Sequence, residues 1–514
     1  MAMKMEYSLK NNADLIIGQS FLLTVNLQSN KSINKYSTIS FSNVKNIIAP
    51  LEPISLVLSS DDKKATVTVG LTVCSNIIEN ELITFNIDTT VADFESGSFQ
   101  CTAKKIDIGS FSLTVDNNFL DMSSKPDYND PPTSNLYAKV HTTIHDPNGN
   151  VLSGVPIFIT ENIPDTLSNF HIYDADQNTR IYPQSVNNYE GIFINSDKDG
   201  KVIFYLYPQY SLSSVLELFF VFPGTTNMAS ADLPIFVADR EPADFFHSLR
   251  MPDIMNYSGG KLISYDGSPD FYVQIASYPK ATSGDYILFF VKKGGDTDKY
   301  SQVFFRVNDP NIDLNTYSIK LPYSIFEKGI SSEFSYTVIF DGYTKVSQSL
   351  LLTYMGGAIY KPDPKVTRNY GRCIVYTSLG IHEHYIPYGT EINYDSIKRY
   401  LDNKHHPNTG LFVQVLGGNK LEGKVPLGSD VTLNIYIEAA TGNFLKSWTQ
   451  TMPEKVDTNG VSSLVFHINY DTLVNIGLYD IGTPGKVHFD YNFTIGTDTD
   501  YGQIWEGTIY TMPE

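Results

Sequence analysis

The residues best equipped for chemistry are four histidines late in the chain. His382 and His384 stand two apart in IHEHY, and His405 and His406 stand together in NKHHP. Alternate side chains of a strand share a face, so His382 and His384 could hold one ion if His405 or His406 returned to them. A zinc site there requires that third ligand and an ordered shell of hydrogen bonds behind it. A metal-free reading competes with this one, because histidines that follow a helix suit its negative C-terminal end and strand histidines are commonly exposed.

A second constellation is SDKDGKVIFYLYP, from Ser196 to Pro208. Asp197 and Asp199 before Gly200 match the start of a calcium loop, but the twelfth position, where such a loop closes with glutamate, is Pro208. Val202 to Tyr207 has the composition of a strand, so the aspartates read as turn formers and Gly200 as a permissive backbone position. In GGNKLEGKV, Gly418, Gly423 and Lys424 have phosphate-loop spacing after the strand-like FVQVL. Val425 stands where Ser or Thr would hold magnesium, and Pro426 and Gly428 occupy the expected helix start. No GxSxG, HExxH or kinase-type set occurs in the sequence. Paired carboxylates brought together by folding leave no spacing, and 56 acidic residues offer many chance pairs. The chain reads as non-catalytic and free of cofactors.

Aromatic residues suggest binding instead. Trp448 and Trp505 are the two tryptophans, in FLKSWTQTMPE and GQIWEGTIYTMPE, each followed by TMPE. On paired strands they would form a platform for a sugar ring or a partner protein, the alternative being core or rim positions. Tyr385, beside His384, joins them as a candidate ligand contact.

The elements that must position these residues are strands. Charged residues make up 18% of the 514-residue chain, below the roughly 25% of an average soluble protein, while Tyr (34) and Phe (30) are plentiful. Short apolar or alternating runs such as FLLTVNL, ATVTVGLTV, KVIFYLY, YILFFV and VTLNIYI recur between Gly, Asn, Asp and Pro. That pattern predicts an all-β fold of tandem immunoglobulin-like β-sandwiches in an elongated array. Turn-rich breaks at SSKPDYNDPPTSN, VADREPAD and GGAIYKPDPKV divide the chain into 1–122, 123–238, 239–356 and 357–514. The third and fourth units share an order of elements: a strand reaching Tyr323 or Tyr470, a turn-helix closed by Gly329 or Gly477, and an alternating strand. One amphipathic helix is expected in the last unit, with Asn393 or Asp395 as N-cap, Ile397, Tyr400 and Leu401 on one face, and Pro407 at its end.

A net charge of -19 argues against a phosphate-binding surface, so nucleic acid and anionic membrane are poor partners. Asn11, Asn12 and Asp14 interrupt any signal-peptide core, and runs such as LELFFVF are far shorter than the ~20 residues of a membrane span. Cys74, Cys101 and Cys373 lack CxxC spacing and read as thiols, with a Cys74–Cys101 bridge as the alternative.

The second unit contains AKVHTTIHDPNGNVLSGVPIFITEN and then GIFINSDKDGKVIFYLYP. This resembles the bacterial Ig-like group 1 repeat of intimin and invasin adhesins. Asp146, Gly149, Asn150, Gly154, Val155, Pro156, Phe158, Asp197 and Gly200 occupy matching positions, and Ser196 stands for the usual threonine. The third unit is also similar to Ig-like repeats of large Gram-negative surface proteins. The resemblance implies an adhesin-like, host-surface-binding protein, secreted or at the cell surface by a non-classical route, with a cytoplasmic location as the alternative. A host protein or glycan is the implied partner, met by loops of the fourth unit around Ile381 to Tyr385 and His405 to Gly410. The competing expectations are a self-assembling or toxin-associated component pairing through edge strands, and a C-terminal lectin or metal-dependent hydrolase.

Overall fold

The computed structural model describes residues 4–107, 113–122, 129–186, 189–209, 213–240, 244, 246–340, 342–381, 384–400, 410–419, 421–439, 442–479, 482–495 and 498–513. The chain is all-β, and its strands build Ig-like sandwiches. It divides into two compact units, Met1–Pro242 with Thr337–Val346, and Ala243–Tyr336 with Ser347–Glu514.

In the first unit, one sheet of the first sandwich orders Lys4–Tyr7, Ser20–Gln28, Lys64–Val73 and Ile47–Ile48, and the other orders Asp14–Ile16, Gly97–Lys104, Leu82–Thr89, Thr38–Lys45 and Ile54–Ser55. Alternation decides which face is inward: Phe21, Leu23, Val25 and Leu27 are buried along Ser20–Gln28. Each such side chain contributes roughly 1.5–3 kcal/mol on burial. The second sandwich packs Val140, Ile157, Ile159, Phe204, Leu206 and Phe220 into one core.

The first three sandwiches open with a split strand whose halves serve opposite sheets, and in the fourth the first and third strands do so, with Tyr385–Ile386 between them. Lys4–Tyr7 lies antiparallel to Ser20–Gln28, whereas Asp14–Ile16 lies parallel to Gly97–Lys104. Thr114–Asp116 and Phe119–Asp121 repeat this against Ala138–Thr143 and Ile235–Ala238. Asp253–Ile254 and Lys261–Leu262 do so against Asp270–Gln274 and Leu350–Tyr354. In the fourth, Ile374–Tyr376 pairs with Gly410–Gly417, and Glu391–Asn393 runs parallel to Trp505–Tyr510. The first two switches are made at Asn-Asn pairs, where Asn12 (φ 63°) and Asn117 (φ 54°) take the left-handed conformation that asparagine tolerates best after glycine.

The larger sheets of the third and fourth sandwiches share one strand order. The larger sheet orders Lys261–Leu262, Leu350–Tyr354, Ser331–Phe340, Tyr286–Lys293 and Lys299–Arg306 in one, and Glu391–Asn393, Trp505–Tyr510, Gly485–Ile495, Asp430–Ala439 and Gly442–Thr451 in the other. The 3-10 turn Tyr323–Ile325 and the helical turn Tyr470–Leu473 begin at the two tyrosines singled out in the sequence.

Two sequence expectations need correction. The boundary at 122 is misplaced, because Thr114–Asp116 and Phe119–Asp121 pair with strands of the second sandwich. Asn129 and Asp130 are tied to that sandwich as well: Asn129 Nδ2 donates to the Pro208 carbonyl at 2.7 Å, and buried Asp130 accepts from Tyr173 Oη at 2.9 Å and from His171 Nδ1. The helix of the fourth unit is one turn, Tyr394–Ile397, capped as expected by Asn393 in a reciprocal bond with Ser396. It stops because Ser378 takes the carbonyls that further turns would use, its N–H donating to Ser396 O at 2.9 Å and its Oγ to Lys398 O at 2.6 Å. Leu401 and Pro407 lie outside the described residues.

Candidate functional site

His382, His405 and His406 lie outside the described residues, which leaves His384 of the proposed zinc set. His384 is exposed, with φ at 93°, and precedes the short strand Tyr385–Ile386 instead of lying within it. The strand alternation assumed for His382 and His384 therefore fails at His384. Among the described residues no three His, Cys, Asp or Glu side chains converge on an ion position.

The tryptophan platform is also corrected. Trp505 is 2% exposed and meets Phe489 edge-on at 5.5 Å, inside the core of the fourth sandwich. Trp448 is half-buried on Gly442–Thr451, opposite Leu433. The strands Asp430–Ala439 and Gly485–Ile495 separate the two, so no ligand can lie across both rings. Among the described residues the phosphate-loop spacing does not build a cradle either: the Gly418 N–H donates to Val425 O at 2.8 Å, and Val425 bridges Gly417 where a helix would begin. Cys74 and Cys101 are free thiols.

The DxxG stretches are turns. Asp197 Oδ1 accepts the N–H groups of Asp199 and Lys201, each at 2.8 Å, and Gly200 sits at φ 72°. Asp146 does the same for Asn148 and Asn150 at 2.9 Å, and Asp457 for Asn459 and Val461 at 2.8 and 2.9 Å. A carboxylate oxygen held by two backbone donors serves the turn. Ser196 completes the motif from inside the sandwich, accepting from Val155 N–H at 3.0 Å and donating to Leu152 O at 2.8 Å.

The fourth sandwich presents the best-organised exposed aromatic surface near the predicted loop. Tyr385 is 64% exposed and Tyr388 48%. The Tyr388 hydroxyl donates to Glu506 Oε1 at 2.6 Å, and Gly389 N–H donates to Glu506 O at 2.8 Å, fixing this loop to the strand Trp505–Tyr510. The Arg372 guanidinium lies 4.0 Å from the Tyr388 ring centre, and its Nε donates to Ile504 O at 2.7 Å. His488 pairs across the sheet with Glu506, and burial pushes its pKa down, favouring the neutral ring. Hydrogen bonding to Glu506 raises the Tyr388 pKa. Such a surface can stack and hydrogen-bond. Sequence reasoning found Tyr385 and missed Tyr388, Arg372 and Glu506, although the turn residues in IPYGT mark the loop.

The same face of the larger sheet carries a buried polar network. Arg368 Nη2 meets Asp490 Oδ2 at 2.7 Å, and its Nη1 donates to Gly502 O at 2.8 Å. Asn434 Nδ2 and the Tyr436 hydroxyl donate to Asp490 Oδ1 at 2.9 and 3.3 Å. This network ties the segment entering the fourth sandwich to its larger sheet.

The fold defines an all-β protein of tandem Ig-like sandwiches. No family model and no curated protein matches the chain. Among solved structures it is similar to an alpha-2-macroglobulin of Salmonella, at 9% identity over 99% of this chain and 39% of that one, with a TM-score of 0.16. The native conformation of E. coli alpha-2-macroglobulin matches at 9% identity over 99% and 40%, TM-score 0.15. Domains 4–9 of the surface layer protein SbsC match at 10% identity over 98% and 83%, TM-score 0.17. The chain spans 39% of the first of these structures, and at such scores the likenesses carry no functional argument. No helix among the described residues is long and apolar enough to cross a membrane.

Proposed function

We propose that this chain is a non-catalytic, adhesin-like binding protein, secreted or cell-surface in location, in which tandem Ig-like sandwiches support a recognition surface on the fourth. The observation that carries this reading is the loop at Tyr385 and Tyr388, held by Glu506 and Arg372 with both rings exposed. Aromatic rings presented on a rigid sheet suit a protein or glycan partner, because little side-chain entropy is lost on contact. The resemblance of the turn motifs around Asp146 and Asp197 to those of intimin and invasin repeats supports the same class. Beads coated with the full chain should adhere to host epithelial cells, and Tyr385→Ala with Tyr388→Ala should remove most of that adhesion. Equal adhesion by the double variant would sink this assignment.

Self-assembly is the second reading. It rests on Gly442–Thr451, a ten-residue strand at the edge of its sheet. Exposed Lys446 near its centre opposes pairing with another edge. Concentration-dependent sedimentation of the wild type, strengthened in Lys446→Thr, supports assembly; a monomer in both excludes it.

A further inference from the structure

The first unit contains a cleft of about 720 Å³ with one wall from each of its sandwiches. Tyr7, Thr24 and Asn26 line it from the first sandwich, and Arg180, Tyr182 and Gln184 from the second. We propose that this cleft is a carbohydrate-binding site that takes a neutral oligosaccharide.

The cleft is preformed because its walls are locked together. Asp14 N–H donates to Ser153 O, and Ser153 N–H donates back to Asp14 Oδ2, both at 2.8 Å. Gln19 Nε2 donates to the Pro156 carbonyl, Asn195 Nδ2 donates to Ser8 O, and Ile16 packs into the second sandwich's core. A Cβ on Gly154 would lie 2.9 Å from that of Ala13, so the junction leaves no slack. Tyr7 is fixed equally well. Its ring meets Phe99 edge-on at 4.9 Å, and Phe99 stacks on Phe85 at 4.8 Å. Gly97 leaves the space that the Tyr7 hydroxyl occupies, since a Cβ there would lie 1.9 Å from it.

The lining has the chemistry of sugar recognition. Tyr182 is 64% exposed, and the Arg180 guanidinium lies 5.1 Å from its ring centre, giving an aromatic face beside a fork of donors. Asn26 spends its carbonyl oxygen on Thr66 Oγ1, which leaves the amide N–H groups for a ligand. Gln184 and Arg180 have no side-chain hydrogen bond or ion pair among the described residues. A pyranose offers an apolar C–H face for a ring and hydroxyls that both donate and accept, which matches an exposed aromatic beside amides and a guanidinium. Glu6 on the cleft wall and the net charge of -19 disfavour a polyanion. The site is independent of the Tyr385 surface.

The test uses the full chain on a printed array of neutral gluco-, galacto- and manno-oligosaccharides beside hexuronate-containing ones, followed by titration calorimetry with the best-retained neutral oligosaccharide. Retention of a neutral oligosaccharide is expected, with Tyr182→Ala and Arg180→Gln each weakening it about tenfold or more and Tyr385→Ala leaving it unchanged. The two cleft variants alter side chains of an edge, and unchanged thermal melts should show them folded. No sugar retained, retention of hexuronates alone, unchanged affinity in both cleft variants, or a loss confined to Tyr385→Ala would each overturn the proposal. Adhesion of coated beads reads the Tyr385 surface separately, so the two assignments fail independently.

Discussion

Replacing Arg368 with methionine should destabilise the fourth sandwich by about 2–4 kcal/mol, because it strands a carboxylate that water barely reaches. The Asp490 side chain is 2% exposed and that of Arg368 12%, with 2.7 Å between the charged atoms. Breaking one partner out of a buried pair costs roughly 3–5 kcal/mol. Two donors, Asn434 and Tyr436, stay on Asp490 and offset part of that, at about 1 kcal/mol each when net solvation is counted. Arg368→Lys should cost about 1–2 kcal/mol, since an ammonium cannot span Asp490 and the Gly502 carbonyl in the same plane. In Arg368→Met with Asp490→Leu, both charges leave, so the double variant should be more stable than the sum of the single losses by roughly 2 kcal/mol. Both tryptophans of the chain lie in this sandwich, and Trp505 is buried, so urea unfolding followed by tryptophan emission reports this sandwich specifically. A loss under about 0.5 kcal/mol in Arg368→Met, or additive single losses, would refute the view that this network pins the entering segment.

Other outcomes follow from the same physics. Burial pushes the Glu161 carboxyl up to about 7, against a bond from Leu167 N–H that favours ionisation, with Glu190 and Asp165 adding repulsion. A folded pKa above the unfolded value of 4.5 means that the folded state binds more protons between them, so stability is full below about 4.5 and falls as pH rises through 7. Discounted for partial exposure, the loss is about 1–2 kcal/mol, and Glu161→Gln should abolish it; thermal melts at acid and alkaline pH that leave the wild type unchanged would count against this. Asp146→Ala should cost about 2 kcal/mol in urea denaturation, since the buried carboxylate accepts the Asn148 and Asn150 N–H groups and the Asn150 amide and so holds an otherwise exposed turn. A thiol reagent should modify Cys74 first in the native protein, because burial raises Cys101 to about 11 and Cys373 to about 12. Rapid modification of all three thiols without denaturant would contradict the buried placements.

Period-two alternation made Phe21 to Leu27 and Lys64 to Val73 readable as strands, because a side chain facing a core must be apolar whatever lies opposite. Asp197 and Gly200 were readable as a turn for a similarly local reason: the carboxylate reaches N–H groups two and four residues on. The boundary at 122 was not readable. Thr114–Asp116 is committed to the second sandwich by pairing with Ala138–Thr143, which no local signal records. The helix after Asn393 failed for a like reason, since Ser378, fifteen residues before Asn393, takes the carbonyls it needed.

The candidate sites divide the same way. Composition and patterning determined an all-β protein of acidic surface with no recognisable catalytic motif, since these properties depend on residue type and near neighbours. Tertiary structure alone decided that Trp505 is core, that Tyr388 rests on Glu506, and that Arg180 and Tyr182 face Tyr7 across a cleft. The last two relations join residues more than a hundred positions apart, and all three arise from strand register or from a locked junction between two sandwiches, which no spacing within the chain encodes.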